Sequence, residues 1–191
     1  ALWCARNEGF APNELEYMLA ATLAKEDGSR HYVGNSRSLN SSGSGPWRYQ
    51  FDAGWYYRSL AGGFRSEVGT PSLPTAETVR EFMAEEDTWP ISDVWYYHDW
   101  HNHRYGSKTF SELYKEGMDR KLGPSDNMDD FCKKAQLINY ESHRAIFEAW
   151  NSKMWNDASG VLLWMSHPAW PSMVSVSYTH LRAHETEADL V

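Results

Sequence analysis

The chain has 191 residues, 41% hydrophobic and 23% charged, a balance that supplies a sizeable core and excludes a disordered polymer. Its net charge of −8 argues against a nucleic-acid partner, because phosphate binding draws on a basic face. No run of about eighteen apolar residues occurs, so no membrane-spanning helix is expected, and the first residues lack the basic-then-apolar order of a signal peptide.

Leu2–Ala5 reads as a buried strand, so close to residue 1 that the chain is expected to be cut from something longer. Cys4 within it is expected to be a small buried thiol, and with Cys132 it makes too few cysteines to define a compartment, which stays open. Pro12-Asn13-Glu14 starts a helix in which Leu15, Met18, Leu19, Thr22 and Leu23 form the inward stripe, and Asp27-Gly28 ends it. His31–Val33 is a short strand leading to Asn35-Ser36-Arg37. Ser38–Gly45 is a Ser/Gly-rich loop, and Trp47–Phe51 with Trp55–Tyr57 is an aromatic loop or short strand. Phe64–Ser66 is a further strand.

Pro71 and Pro74 then stop regular structure, and Thr75 opens a helix through about Glu85. Val94–Tyr105 is an irregular stretch crowded with aromatics and histidines. Phe110 to Lys121 allows another helix. Asn127-Met128-Asp129-Asp130 begins the longest one, with Phe131, Ala135, Ile138, Ile146 and Trp150 on one stripe. Val161–Met165 is a fully apolar strand. Strands that alternate with helices and run apolar throughout belong to a parallel sheet covered by helices. A complete eight-stranded α/β barrel takes ~250 residues, and about four strand units are present here. The expected fold is therefore α/β, the C-terminal half of a (β/α)8 TIM barrel.

Two segments carry the chemistry. Leu2-Trp3-Cys4-Ala5-Arg6-Asn7-Glu8-Gly9 and Gly63-Phe64-Arg65-Ser66-Glu67-Val68-Gly69 each end an apolar run in a glutamate closely followed by glycine. That is how a barrel strand reads when it delivers a carboxylate to its C-terminal mouth, where barrel enzymes hold their chemistry. Two such carboxylates suit glycosidic cleavage, which needs an acid to protonate the departing oxygen and a base or nucleophile opposite. If they lie close, repulsion between them raises the pKa of one and keeps the acid protonated. Asn7 is placed to hydrogen-bond a sugar hydroxyl beside the scissile bond. Aromatic residues make up 15%, with 10 Trp and 11 Tyr, suited to stacking on the apolar faces of sugar rings.

The histidines of His98-Asp99-Trp100-His101-Asn102-His103 could converge on zinc, but their spacing matches no strong zinc signature. No metal and no cofactor are therefore expected. His98, with Trp95 and Tyr97, reads instead as an aromatic, hydrogen-bonding rim of the substrate cleft. Ser66 has no credible histidine–acid partners for a serine hydrolase.

Leu2–Gly9 resembles the end of the fourth barrel strand in glycoside hydrolase family 2. Phe64–Gly69 resembles its seventh strand and Gly160-Val161-Leu162-Leu163-Trp164-Met165 its eighth. The stretches Asp130–Glu141, Arg144–Trp150 and Trp164–Ser172 resemble the branch of β-mannosidases, endo-β-mannosidases and exo-β-glucosaminidases. The resemblance implies Glu8 as general acid/base, Glu67 as nucleophile, Trp164 as the platform beneath the sugar, and retaining hydrolysis of a terminal β-glycoside. It also implies upstream β-sandwich domains in the parent protein. Some glucosaminidases of the branch carry aspartate where this chain has Glu8, so Asn7-Glu8 leans toward a neutral sugar, mannose first, with glucosamine and galactose still open.

The likeness covers residues 1–174, read as the partial catalytic barrel. Residues 175–191 resemble translated adapter sequence and are set aside as a non-native or disordered tail. The rival reading is a carbohydrate-binding protein that keeps its aromatic platforms without turnover.

Overall fold

The computed structural model describes residues 2–37, 41–42, 45–100, 104–164 and 171–173. The tail from residue 175, Met165 at the end of the last expected strand, and His101 and His103 of the histidine cluster lie outside them.

The architecture is mixed α/β. Strand β1 (Leu2–Cys4) pairs in parallel with β2 (His31–Val33), joined by helix α1 (Asn13–Glu26). A second parallel sheet has the order β3 (Ser41–Ser42), β4 (Gly63–Val68), β7 (Ala158–Leu163). Between β4 and β7 run helices α2 (Ala76–Phe82), α3 (Asp93–Tyr97), α4 (Phe110–Leu122) and α5 (Met128–Lys153), with a two-stranded antiparallel hairpin, β5 (Arg104–Tyr105) and β6 (Lys108–Thr109), before α4. Parallel neighbours need a covered crossover, and α1 and the α2–α5 run supply it for the two sheets.

The helix starts follow local chemistry. Asn127 accepts the Asp130 N–H at 2.9 Å to open α5, with Asp129 and Asp130 in its positive first turn. Thr109 and Glu112 form a reciprocal capping box at α4, which Gly123 ends at φ +82°. α5 joins two cores. Its first half packs Phe131, Ala135 and Ile138 against Trp95, Trp100 and Tyr114. Its second half packs Ile146, Ala149 and Trp150 against Tyr56 and Val68 beneath the second sheet.

Several expectations need correction. β1 is exposed rather than buried, with Trp3 40% accessible and the Cys4 thiol open to solvent. α1 forms as expected but buries no residue, leaving Leu15 and Met18 exposed. Both follow from one geometry: an open cleft of about 410 Å³, lined by Trp3, Tyr32, Leu15, Met18 and Leu19, separates the stripe from the sheet it faces. Val94–Tyr105 is not wholly irregular, since it holds α3 and the first strand of the hairpin. The helix opened by Thr75 ends at Phe82, and Tyr56–Leu60 is a π-helical turn closed by Ala61 N–H donating to the Tyr56 carbonyl at 2.9 Å.

Candidate active site

The β1–β2 pairing extends past the strands themselves. Ala5 N–H donates to the Val33 carbonyl at 3.1 Å and Ser36 N–H to the Arg6 carbonyl at 3.0 Å. Asn7-Glu8 and Asn35-Ser36-Arg37 therefore leave the sheet side by side at its C-terminal end. Glu8 then sits at the centre of a tight turn. Gly9 N–H reaches the Asn7 carbonyl at 2.6 Å, and Glu8 has φ +49°, a left-handed value that a side chain rarely adopts. The turn aims a carboxylate 34% exposed, and the Arg37 guanidinium stands 3.4 Å from it. The Arg37 main chain is held by Asn35, whose buried side-chain oxygen accepts the Arg37 backbone N–H at 2.8 Å.

Glu67 arrives on β4. Arg65 pairs with Val161 and Val68 with Leu163, so β4 spends one residue more than β7 across this interval. The resulting bulge contains Ser66 and Glu67, and bulges re-aim side chains at sheet ends. The Ser66 hydroxyl donates to the Ser36 carbonyl, which ties this bulge to the Glu8 loop. Burial pushes the Glu67 carboxyl above the ordinary glutamate value, the negative charge of Glu8 adds to that push, and Arg37 opposes it. An upward shift is thus present on the residue expected to be the nucleophile, which must be ionised to attack.

Two tryptophans close the same end. Trp164, immediately after β7, donates its backbone N–H to the Val68 carbonyl at 2.9 Å, and the Trp47 backbone N–H donates to the Gly69 carbonyl at 3.2 Å. Their rings meet edge to face at 5.4 Å and 70°, with Trp164 41% exposed.

The structure brings together Asn7, Glu8, Glu67 and Trp164 of the expected residues, and separates Trp95. Trp95 is fully buried, packs on Trp100 at 5.4 Å and on Phe131 at 5.5 Å, and donates its indole N–H to the Thr88 carbonyl at 3.1 Å. It is a core residue, because α3 turns it inward against α5. Its neighbour Tyr97 is 84% exposed, and half-buried His98 packs on Phe82 at 4.9 Å. Among the described residues no group of His, Cys, Asp and Glu is arranged to hold a metal ion.

No motif in the sequence marks Ser36, Arg37 or Trp47 as functional. The signal for the first two was positional: Asn35-Ser36-Arg37 follows β2 as Asn7-Glu8 follows β1, so parallel pairing puts the two ends together.

No protein-family model matches the chain. It is 30% identical over 177 residues to mannosylglycoprotein endo-β-mannosidase of Lilium longiflorum, covering 81% of this chain and 18% of that protein. It is 32% identical over 145 residues to exo-β-D-glucosaminidase of Amycolatopsis orientalis, covering 68% of this chain and 14% of that one. The β-D-mannosidase structure from Dictyoglomus thermophilum superposes with a TM-score of 0.74 at 24% identity, over 93% of this chain and 24% of that one. The chain spans under a fifth of the length of these two curated relatives.

Proposed function

The chain belongs to glycoside hydrolase family 2, and on that premise we propose that residues 1–174 are the second half of a (β/α)8 barrel in a longer retaining β-glycosidase. Residues 175–191 lie outside that domain. The reading rests on one observation: Glu8 and the bulge bearing Glu67, 59 residues apart in sequence, are joined through Ser36 at the C-terminal ends of parallel strands.

In this mechanism the sugar lies on Trp164, held edge-on by Trp47, with Tyr97 and His98 at the outer rim. The Glu67 carboxylate attacks the anomeric carbon as Glu8 passes its proton to the departing glycosidic oxygen, leaving a glycosyl ester on Glu67. Glu8, now ionised, takes a proton from water. That water attacks the anomeric carbon, frees the sugar with its configuration retained, and returns Glu67 as carboxylate. Asn7 binds the sugar hydroxyl next to the reacting carbon. The Ser36 hydroxyl, 3.3 Å from the Asn7 side-chain oxygen, occupies the accepting end of that amide and leaves its NH2 to donate.

A neutral sugar, mannose first, is favoured over a glucosaminide. The resemblance supports this: some glucosaminidases of the branch carry aspartate where this chain has Glu8. The test is a 2-deoxy-2-fluoro-β-mannosyl fluoride applied to the full-length protein that carries this segment. A trapped sugar on the peptide containing Glu67 is the expected result. A label on another residue overturns the assignment of Glu67, and no label with no turnover leaves the binding-only reading standing.

A further inference from the structure

We propose that Ser36 is the positioning residue of this site, holding Glu8 in its proton-delivering turn and coupling that turn to the strand of Glu67. The inference deepens the glycosidase reading and rests on it for its kinetic consequence, but the bonds themselves stand independently. Ser36 is 9% exposed, so its hydrogen bonds are shielded from competing water. Its hydroxyl accepts the Glu8 N–H at 2.9 Å and donates to the Asn7 side-chain oxygen at 3.3 Å. Its own N–H binds the Arg6 carbonyl at 3.0 Å, and its carbonyl accepts the Ser66 hydroxyl.

One residue thus touches three consecutive positions of the first carboxylate loop and the residue before the second carboxylate. The geometry explains why an anchor is needed. Glu8 is not glycine, yet it holds φ +49°, a conformation that persists only when its surroundings over-determine it. The bond from Ser36 to the Glu8 N–H acts on the very residue that is strained. The main-chain bonds of Ser36 hold the loop as a whole, whereas the hydroxyl sets where the Glu8 carboxyl points.

Removing only the hydroxyl should therefore damage proton delivery rather than the barrel. In the full-length protein, Ser36→Ala is expected to lower kcat/KM about 10- to 100-fold for a β-glycoside with an alkyl or sugar leaving group, the scale of a misplaced acid. The same variant should lose less than about 3-fold on a 2,4-dinitrophenyl glycoside, whose leaving group departs without a proton. Ser36→Thr, which keeps the hydroxyl, should restore the first rate. Equal loss on both substrates, or no loss on either, overturns the proposal.

Hydrogen exchange separates this from failure of the glycosidase reading. In an inactive protein, Ser36→Ala must still speed exchange of the Glu8 amide about 10-fold or more. Unchanged exchange overturns the anchor whatever the activity.

Discussion

Arg37 and Glu8 form an ion pair at 3.4 Å at the mouth of the parallel strands, and the same arginine charge acts on Glu67. Glu67 is thereby held between opposing influences. Burial and the charge of Glu8 favour its protonated form, and Arg37 favours the ionised form. As the proposed nucleophile, Glu67 must be ionised to attack, so this balance is expected to set the acidic limb of kcat/KM. Arg37→Ala removes a positive charge, raises the Glu67 pKa and moves that limb to higher pH. Glu8→Gln leaves a neutral side chain, as the protonated Glu8 of the mechanism is, so this limb should stay near its place whatever the loss in rate. Profiles measured on the full-length protein check the sign. A limb that stays fixed in Arg37→Ala would show that another group sets it.

Glu67→Gln keeps shape and hydrogen-bonding capacity but cannot form the glycosyl ester. Turnover is expected to fall by at least about 10³-fold, as it does when a covalent nucleophile is removed, while the proposed sugar platform of Trp164 and Trp47 is untouched. Calorimetry should find sugar binding within a few-fold of the unsubstituted protein. Substantial turnover in this variant would remove Glu67 from the chemistry.

What could be read from the sequence divides along a physical line. Val161–Leu163 announces a parallel strand by its continuous apolar character, although Leu162 is exposed, whereas the Gly63–Val68 run is broken by Arg65, Ser66 and Glu67 and is marked instead by its glutamate and the glycine after it. The α5 stripe is equally plain, since Phe131, Ala135, Ile138 and Trp150 repeat at helical spacing and every one is buried. Glu8 and Glu67 were legible because each is closely followed by glycine at the end of its segment. Trp95 was not, because an indole serves equally well in a core or under a ligand, and only the packing of α3 on α5 decides. The exposure of Trp3 and Leu15 was hidden for another reason: an apolar stripe records that a covering layer is wanted, not whether this stretch of chain provides it. The Ser36 network is legible only as a position after β2 beside the end of β1; its individual bonds are not, because its partners lie 28 and 30 residues away in sequence.

The two tryptophan roles can be separated by substitution. Trp164→Ala removes an exposed ring after β7 and is expected to raise KM for a β-glycoside about 10-fold, equivalent to ~1.4 kcal/mol, with little change in unfolding. Trp95→Ala empties a buried site touching Trp100 and Phe131, so it should cost about 3–5 kcal/mol of stability. Thermal or denaturant unfolding measured beside KM distinguishes them. A raised KM with unchanged stability in Trp95→Ala would return that residue to the cleft.

The two cysteines report on whether the rest of a barrel covers β1. Cys132 is buried, and burial pushes its thiol up to about 12, which suppresses the reactive thiolate. Cys4 is exposed on β1 beside the open cleft. A thiol reagent applied to the native 191-residue chain should therefore modify one cysteine quickly and the second only on unfolding, with the fast site mapping to Cys4. In the longer protein the proposed first half of the barrel supplies a strand against β1 and helices beyond it, which takes Cys4 out of water. Its labelling should then slow by about 10-fold or more, the loss expected when access requires local opening. Fast labelling of Cys4 in the full-length protein would leave β1 uncovered there too, and the half-barrel assignment of residues 1–174 would fail.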